Sequence, residues 1–191
     1  PPRPGPCVPG SVGASPRRFA CEICPAGKFT PTPGDTACRN CTAGYLCVDG
    51  SSAPQPCPGG THADQHMLAT VGFLSNLTTD CIVCPAGTSC SVGSARPSPC
   101  LAGAFGAAPM QPTCSLCDAG TFTPNQGNTA CRNCTAGYLC VEGSSAPQPC
   151  PGGRYADQSV LATLGFLRTL DTHCVICPAG TSCSVGSNGP T

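Results

Sequence analysis

At 191 residues the chain is long enough for one or two ordinary domains, yet it has no Trp, three Tyr and six Phe, and its 40% hydrophobic fraction counts twenty Cys. A core of large apolar side chains is thereby excluded as the main source of stability, because ordering the backbone costs about 1–2 kcal/mol per residue. Nine basic residues balance nine acidic ones, with Lys28 the one lysine, so nucleic acid has no electrostatic footprint here; no apolar run reaches the ~18 residues of a membrane span, the longest being 67–74 and 160–167.

Cysteine above about 8–10% of a chain marks a disulfide scaffold and, by default, an oxidising extracellular setting. The stretch from Cys38 to Cys57 returns almost unchanged from Cys131 to Cys150, an offset of 93 residues. Adding that offset to Cys7, Cys21, Cys24, Cys38, Cys41, Cys47, Cys57, Cys81, Cys84 and Cys90 gives Cys100, Cys114, Cys117, Cys131, Cys134, Cys140, Cys150, Cys174, Cys177 and Cys183, which uses all twenty. The chain therefore reads as cysteine-rich repeat 1 (1–93), repeat 2 (94–186) and, in 187–191, the start of a further repeat or a junction. Pro-rich junctions such as 1–6 and 94–99 read as short extended connectors.

A smaller period lies inside each repeat. Cys38, Cys41, Cys47, Cys57 and Cys81, Cys84, Cys90, Cys100 share the spacing C-x2-C-x2-G-x2-C-x2-G-S-x2-P-x-P-C, and segments such as Cys7 to Cys21 and Cys24 to Cys38 begin C-x2-G. In Cys24-Pro25-Ala26-Gly27, proline at i+1 and glycine at i+3 predict a type I turn; in Cys57-Pro58-Gly59-Gly60, glycine at i+2 predicts type II. Short strands are expected around 28–30 and 45–48, with little other regular structure. The exception is the 23-residue loop between Cys57 and Cys81, matched between Cys150 and Cys174. There Asp64 and Asp157 are placed to cap a short helix with Met67, Leu68 and Val71, or Val160, Leu161 and Leu164, on one face; it serves either as a satellite core or as a subunit contact.

Ten cysteines per repeat form five disulfides. One pairing closes Cys7–Cys21, Cys24–Cys38 and Cys57–Cys81 and leaves Cys41–Cys47 and Cys84–Cys90 as small rings; a rival joins Cys38 to Cys47 and Cys41 to Cys57. The run from Cys21 to Cys41 also fits a zinc-ribbon spacing, but ten sulfurs do not divide into four-ligand sites. His62, His66 and His173 do not help, since the other copy has Tyr155, Ser159 and Asp80 at those places. No cofactor or metal is expected. Asn40, Asn76 and Asn133 head N-glycosylation sequons, and frequent Ser-Pro, Thr-Pro and Ala-Pro pairs permit further sugars. No catalytic constellation is legible: Asp35, Asp64, Asp80, Asp118, Asp157 and Asp171 stand apart in turn-rich sequence, and neither a nucleophile elbow nor a phosphate loop occurs. The chain is not expected to be an enzyme.

The C-x2-C-P-A-G-x-[FT] turns followed by C-x2-C resemble the ephrin-receptor-like cysteine-rich repeats, whose looped modules are similar to those of tumour-necrosis-factor receptors. The resemblance covers nearly all of the chain and rests on Cys21, Cys24, Pro25, Gly27, Phe29, Cys38 and Cys41, then on Cys114, Cys117, Gly120, Phe122, Cys131 and Cys134, with Asp118 in the proline's place. The Ala-, Gly- and Pro-rich flavour and long near-identical units look more like secreted surface proteins of algae and protists, among them those of mastigonemes, the hair-like filaments of flagella. That resemblance implies an extracellular, glycosylated fibre. The 23-residue loops depart from the compact module.

The expected fold is small and disulfide-rich: tandem modules of turns and short β-strands, at most one short helix per repeat, in an elongated rod. The expected role is that of an extracellular structural protein at a cell surface, flagellar surface or matrix. It would associate with copies of itself, carry covalent glycans and contact other surface glycoproteins. The near-zero net charge tolerates self-association, and a duplicated surface offers one contact at regular intervals. The alternative is a ligand-binding receptor ectodomain, in which the copies would diverge at the binding site.

Overall fold

The structure is a computed structural model and describes residues 5–13, 20–64, 80–156 and 174–191. Eighteen strands of two residues each pair into nine two-stranded sheets among these residues. In chain order the pairs are β1 (Ser11–Val12) with β2 (Glu22–Ile23), β3 (Lys28–Phe29) with β4 (Arg39–Asn40), and β5 (Tyr45–Leu46) with β6 (Gln55–Pro56). Next come β7 (Thr61–His62) with β8 (Ile82–Val83), β9 (Thr88–Ser89) with β10 (Ser98–Pro99), and β11 (Ala104–Phe105) with β12 (Ser115–Leu116). Last are β13 (Thr121–Phe122) with β14 (Arg132–Asn133), β15 (Tyr138–Leu139) with β16 (Gln148–Pro149), and β17 (Arg154–Tyr155) with β18 (Val175–Ile176). The strands expected at 28–30 and 45–48 are thus present as β3 and β5.

Each hairpin begins with the same turn, one residue later than the cysteine-proline pattern predicts. The Lys28 N–H donates to the Pro25 carbonyl at 3.0 Å and the Thr61 N–H to the Pro58 carbonyl at 3.1 Å. Proline is therefore the first turn residue, and Gly27 and Gly60, with φ of 83° and 88°, take the third. Glycine suits that place because a left-handed φ costs a side chain about 1–2 kcal/mol. The type I turn expected at Cys24–Gly27 is accordingly replaced by a positive-φ turn at 25–28. The energetic demand of the left-handed residue outweighs proline's preference for the second position.

A two-residue hairpin buries little and is not stable alone. Sulfur supplies what is missing. All twenty cysteines are joined, with none free: Cys7–Cys21, Cys24–Cys38, Cys41–Cys47, Cys57–Cys81 and Cys84–Cys90, then Cys100–Cys114, Cys117–Cys131, Cys134–Cys140, Cys150–Cys174 and Cys177–Cys183. This is the first of the two pairings open in the sequence, repeated in both copies. Among the described residues, fourteen of the nineteen buried apolar residues are cysteines; the others are Leu46, Ala63, Ala104, Leu139 and Ala156. One core cluster gathers Leu46 and Ala63 on the Cys57–Cys81 cystine, and its counterpart in the second repeat gathers Leu139 and Ala156 on Cys150–Cys174. In the chain-entropy account a loop of separation 14 contributes about 3 kcal/mol and one of separation 6 about 2 kcal/mol.

The chain forms two compact units, Pro1–Pro85 with Cys90–Ser98 and Met110–Pro112, and Ala86–Ser89 with Pro99–Pro109 and Thr113–Thr191. Within the first, successive modules are tied through their turn glycines. The N–H groups of Gly10, Gly27, Gly44 and Gly60 donate to the carbonyls of Thr30, Cys47, Ala63 and Cys90, each in the following module, at 2.7–3.0 Å. The same glycines accept, through their own carbonyls, the N–H of Cys24, Cys41, Cys57 and Cys84 at 2.8–3.0 Å. The second unit repeats this ladder from Gly87, Gly103, Gly120, Gly137 and Gly153. The helix expected after Asp64 and Asp157 falls on residues 65–79 and 157–173, outside those described, as does Asn76.

Candidate functional site

Each described C-x2-C pair buries at least one of its cysteines, Cys24, Cys41, Cys84, Cys117, Cys134 and Cys174 among them, and the two residues between the sulfurs form an exposed strand. All nine even-numbered strands are of this exposed type, including β6, β10 and β16, which precede a cysteine. This strand type carries most of what the molecule displays.

The exposed large apolar side chains recur at the repeat offset. Val8 is matched by Leu101, Ile23 by Leu116, Ile82 by Val175, Val83 by Ile176 and Val92 by Val185, and all ten are exposed. Six of these ten lie in β2, β8, β12 and β18. Ile23 and Leu116 are 64% and 56% exposed. Met110 has no such match among the described residues.

Both described sequons also lie on outward strands. Asn40 ends β4 opposite Lys28, and Asn133 ends β14 opposite Thr121. Each asparagine is exposed, as are Thr42 and Thr135, the hydroxyl residues of the two sequons. Arg39 and Arg132 are exposed beside them, paired in register with Phe29 and Phe122.

The turn carboxylates serve the turns. Asp35 accepts the hydroxyl of the fully buried Thr30 at 2.5 Å, and Asp49 accepts the Ala26 N–H at 2.7 Å. In the second repeat Asn128 takes the place of Asp35 and donates to Thr123. The hydroxyl bond survives the exchange of acid for amide, which fits a structural role.

One residue that the sequence set aside acquires a partner. His62, unmatched in the second repeat, is 8% exposed and its Nδ1 lies 3.4 Å from the Cys84 Sγ. With Cys90 these side chains form a buried group whose ligand atoms lie within 4.8 Å of one another. The contact spans 22 residues and two strands, β7 and β8, so nothing local in the sequence announces it. Compared with known proteins, the chain matches no family model and no curated sequence.

Proposed function

We propose that the protein is an extracellular structural building block that associates with copies of itself into a glycosylated filament or surface coat, as mastigoneme-like proteins do. The observation that carries this reading is the recurrence of exposed apolar residues in five pairs related by the 93-residue offset, Ile23 with Leu116 foremost. Duplicated apolar contacts on a chain of zero net charge give a second copy identical places to dock and nothing to repel it. Cystines in place of an apolar core fit an oxidising cell surface or matrix. Exposed Asn40 and Asn133 give sugars room on a strand that the packing leaves free, and such glycans would meet other surface glycoproteins.

Electron microscopy of the native material tests this directly. Filaments or sheets with a periodic subunit are expected. A monodisperse monomer holding a soluble protein ligand would overturn it in favour of a receptor ectodomain.

A further inference from the structure

Cys84–Cys90 closes one of the four smallest rings, with a sequence separation of 6, and has the longest Cα–Cα distance of the ten disulfides, 6.4 Å. A short loop constrains the unfolded chain least, so this class of staple is the least stabilised by chain entropy. Beside it stands the His62 imidazole, buried and 3.4 Å from one sulfur. Gln111 borders the same ring: its backbone carbonyl accepts the Cys90 N–H at 3.0 Å, and its Oε1 is buried without a hydrogen-bond partner. The counterpart ring, Cys177–Cys183, has Tyr155 where the first repeat has His62. A phenol does not replace an imidazole as a ligand for a soft ion.

A disulfide is a poor ligand, whereas two thiolates and an imidazole are the donor set that zinc selects. We propose that reduction of Cys84–Cys90 converts His62, Cys84 and Cys90 into a site for one zinc-type divalent ion, and that the second repeat has no equivalent. Two equivalents of a small thiol, or one of a phosphine with water, supply the two electrons. The Cys84–Cys90 bond breaks, both sulfurs gain a proton, and the reductant leaves as its disulfide or phosphine oxide. Ion binding then releases both thiol protons to solvent. The ion is held by two thiolates and neutral His62 Nδ1, and the fourth position falls to water or to the uncommitted Gln111 Oε1.

The test uses the whole 191-residue chain, partially reduced with a phosphine, with alkylation and mass mapping to show which cysteines have opened. Cobalt(II) is then titrated as a spectroscopic probe and displaced with zinc. One tetrahedral, thiolate-bound cobalt per chain is expected, and His62→Tyr, which copies the second repeat and so keeps a side chain the fold accepts, weakens it by more than about 100-fold. Three results overturn the proposal: equal binding by His62→Tyr, no cobalt binding by partially reduced chains in which alkylation of a parallel metal-free sample shows Cys84 and Cys90 to be open, or a Cys84–Cys90 bond that opens only after the other nine.

Discussion

A side chain placed on Gly44 would stand 2.0 Å from the carbonyl oxygen of Gly93, two modules further along the chain. The same relation joins Gly10 to Gly50 at 2.0 Å and, in the second unit, Gly137 to Gly186 at 2.0 Å. At these three glycines backbone rests on backbone, so they are required by close approach as well as by a positive φ.

Gly44→Ala and Gly137→Ala therefore lose at least about 3 kcal/mol, since strain and a backbone clash add. Gly50→Ala and Gly153→Ala, at φ of 73° and 82° with nothing within 4 Å of the added carbon, lose only about 1–2 kcal/mol. Denaturant unfolding of the four variants checks the order. Equal losses at all four would remove the close approach as a cause.

Met110 occupies, at φ 67°, a place that six other modules give to glycine, and it is the one positive-φ residue among those described that is not glycine. Its N–H still donates to the Cys84 carbonyl at 2.9 Å, as Gly50 does to Cys24 at 2.8 Å. We expect Met110→Gly to leave stability unchanged or raise it by up to about 1 kcal/mol. Met110→Val, β-branched, should lower it by about 1 kcal/mol or more. Thermal unfolding of the pair gives the sign.

Removing staples separates loop closure from packing. The double variant Cys24→Ala, Cys38→Ala opens a loop of separation 14 and is expected to cost about 3 kcal/mol; Cys41→Ala, Cys47→Ala opens one of separation 6 and costs about 2 kcal/mol. The reverse order, measured in guanidinium, would place the stabilising effect in local packing of the small rings instead.

The display strands should divide by chemistry. Ile23→Asp with Leu116→Asp introduces charge on exposed places and leaves the fold intact within about 0.5 kcal/mol, yet reduces self-association as read by light scattering. Asn40→Gln and Asn133→Gln each remove one glycan mass from secreted protein without changing the unfolding temperature. Unaltered scattering in the aspartate pair would show that these residues are not the contact.

What the sequence made legible was whatever repeats or is covalent. The 93-residue offset marked equivalent cysteines, and the C-x2-G spacing marked both the hairpin starts and one of two staple pairings. The turn register was missed because proline points to the second turn position, while the decisive demand, a left-handed glycine, is set by the hydrogen bonds of the next module. The outward face of Ile23 and Leu116 was hidden for a similar reason: a two-residue strand is too short to show alternation. His62 was discounted as unmatched between copies, and its neighbour Cys84 reaches it only once β7 and β8 pair. Met110 gives no sign in sequence of its backbone conformation.

The most direct test of cystine as the core is peptide mapping by mass spectrometry of the native, unreduced protein. We expect ten intramolecular cystines, Cys24–Cys38 and Cys41–Cys47 among them, and no free thiol. Free cysteines, or Cys38 joined to Cys47 and Cys41 to Cys57, would contradict it.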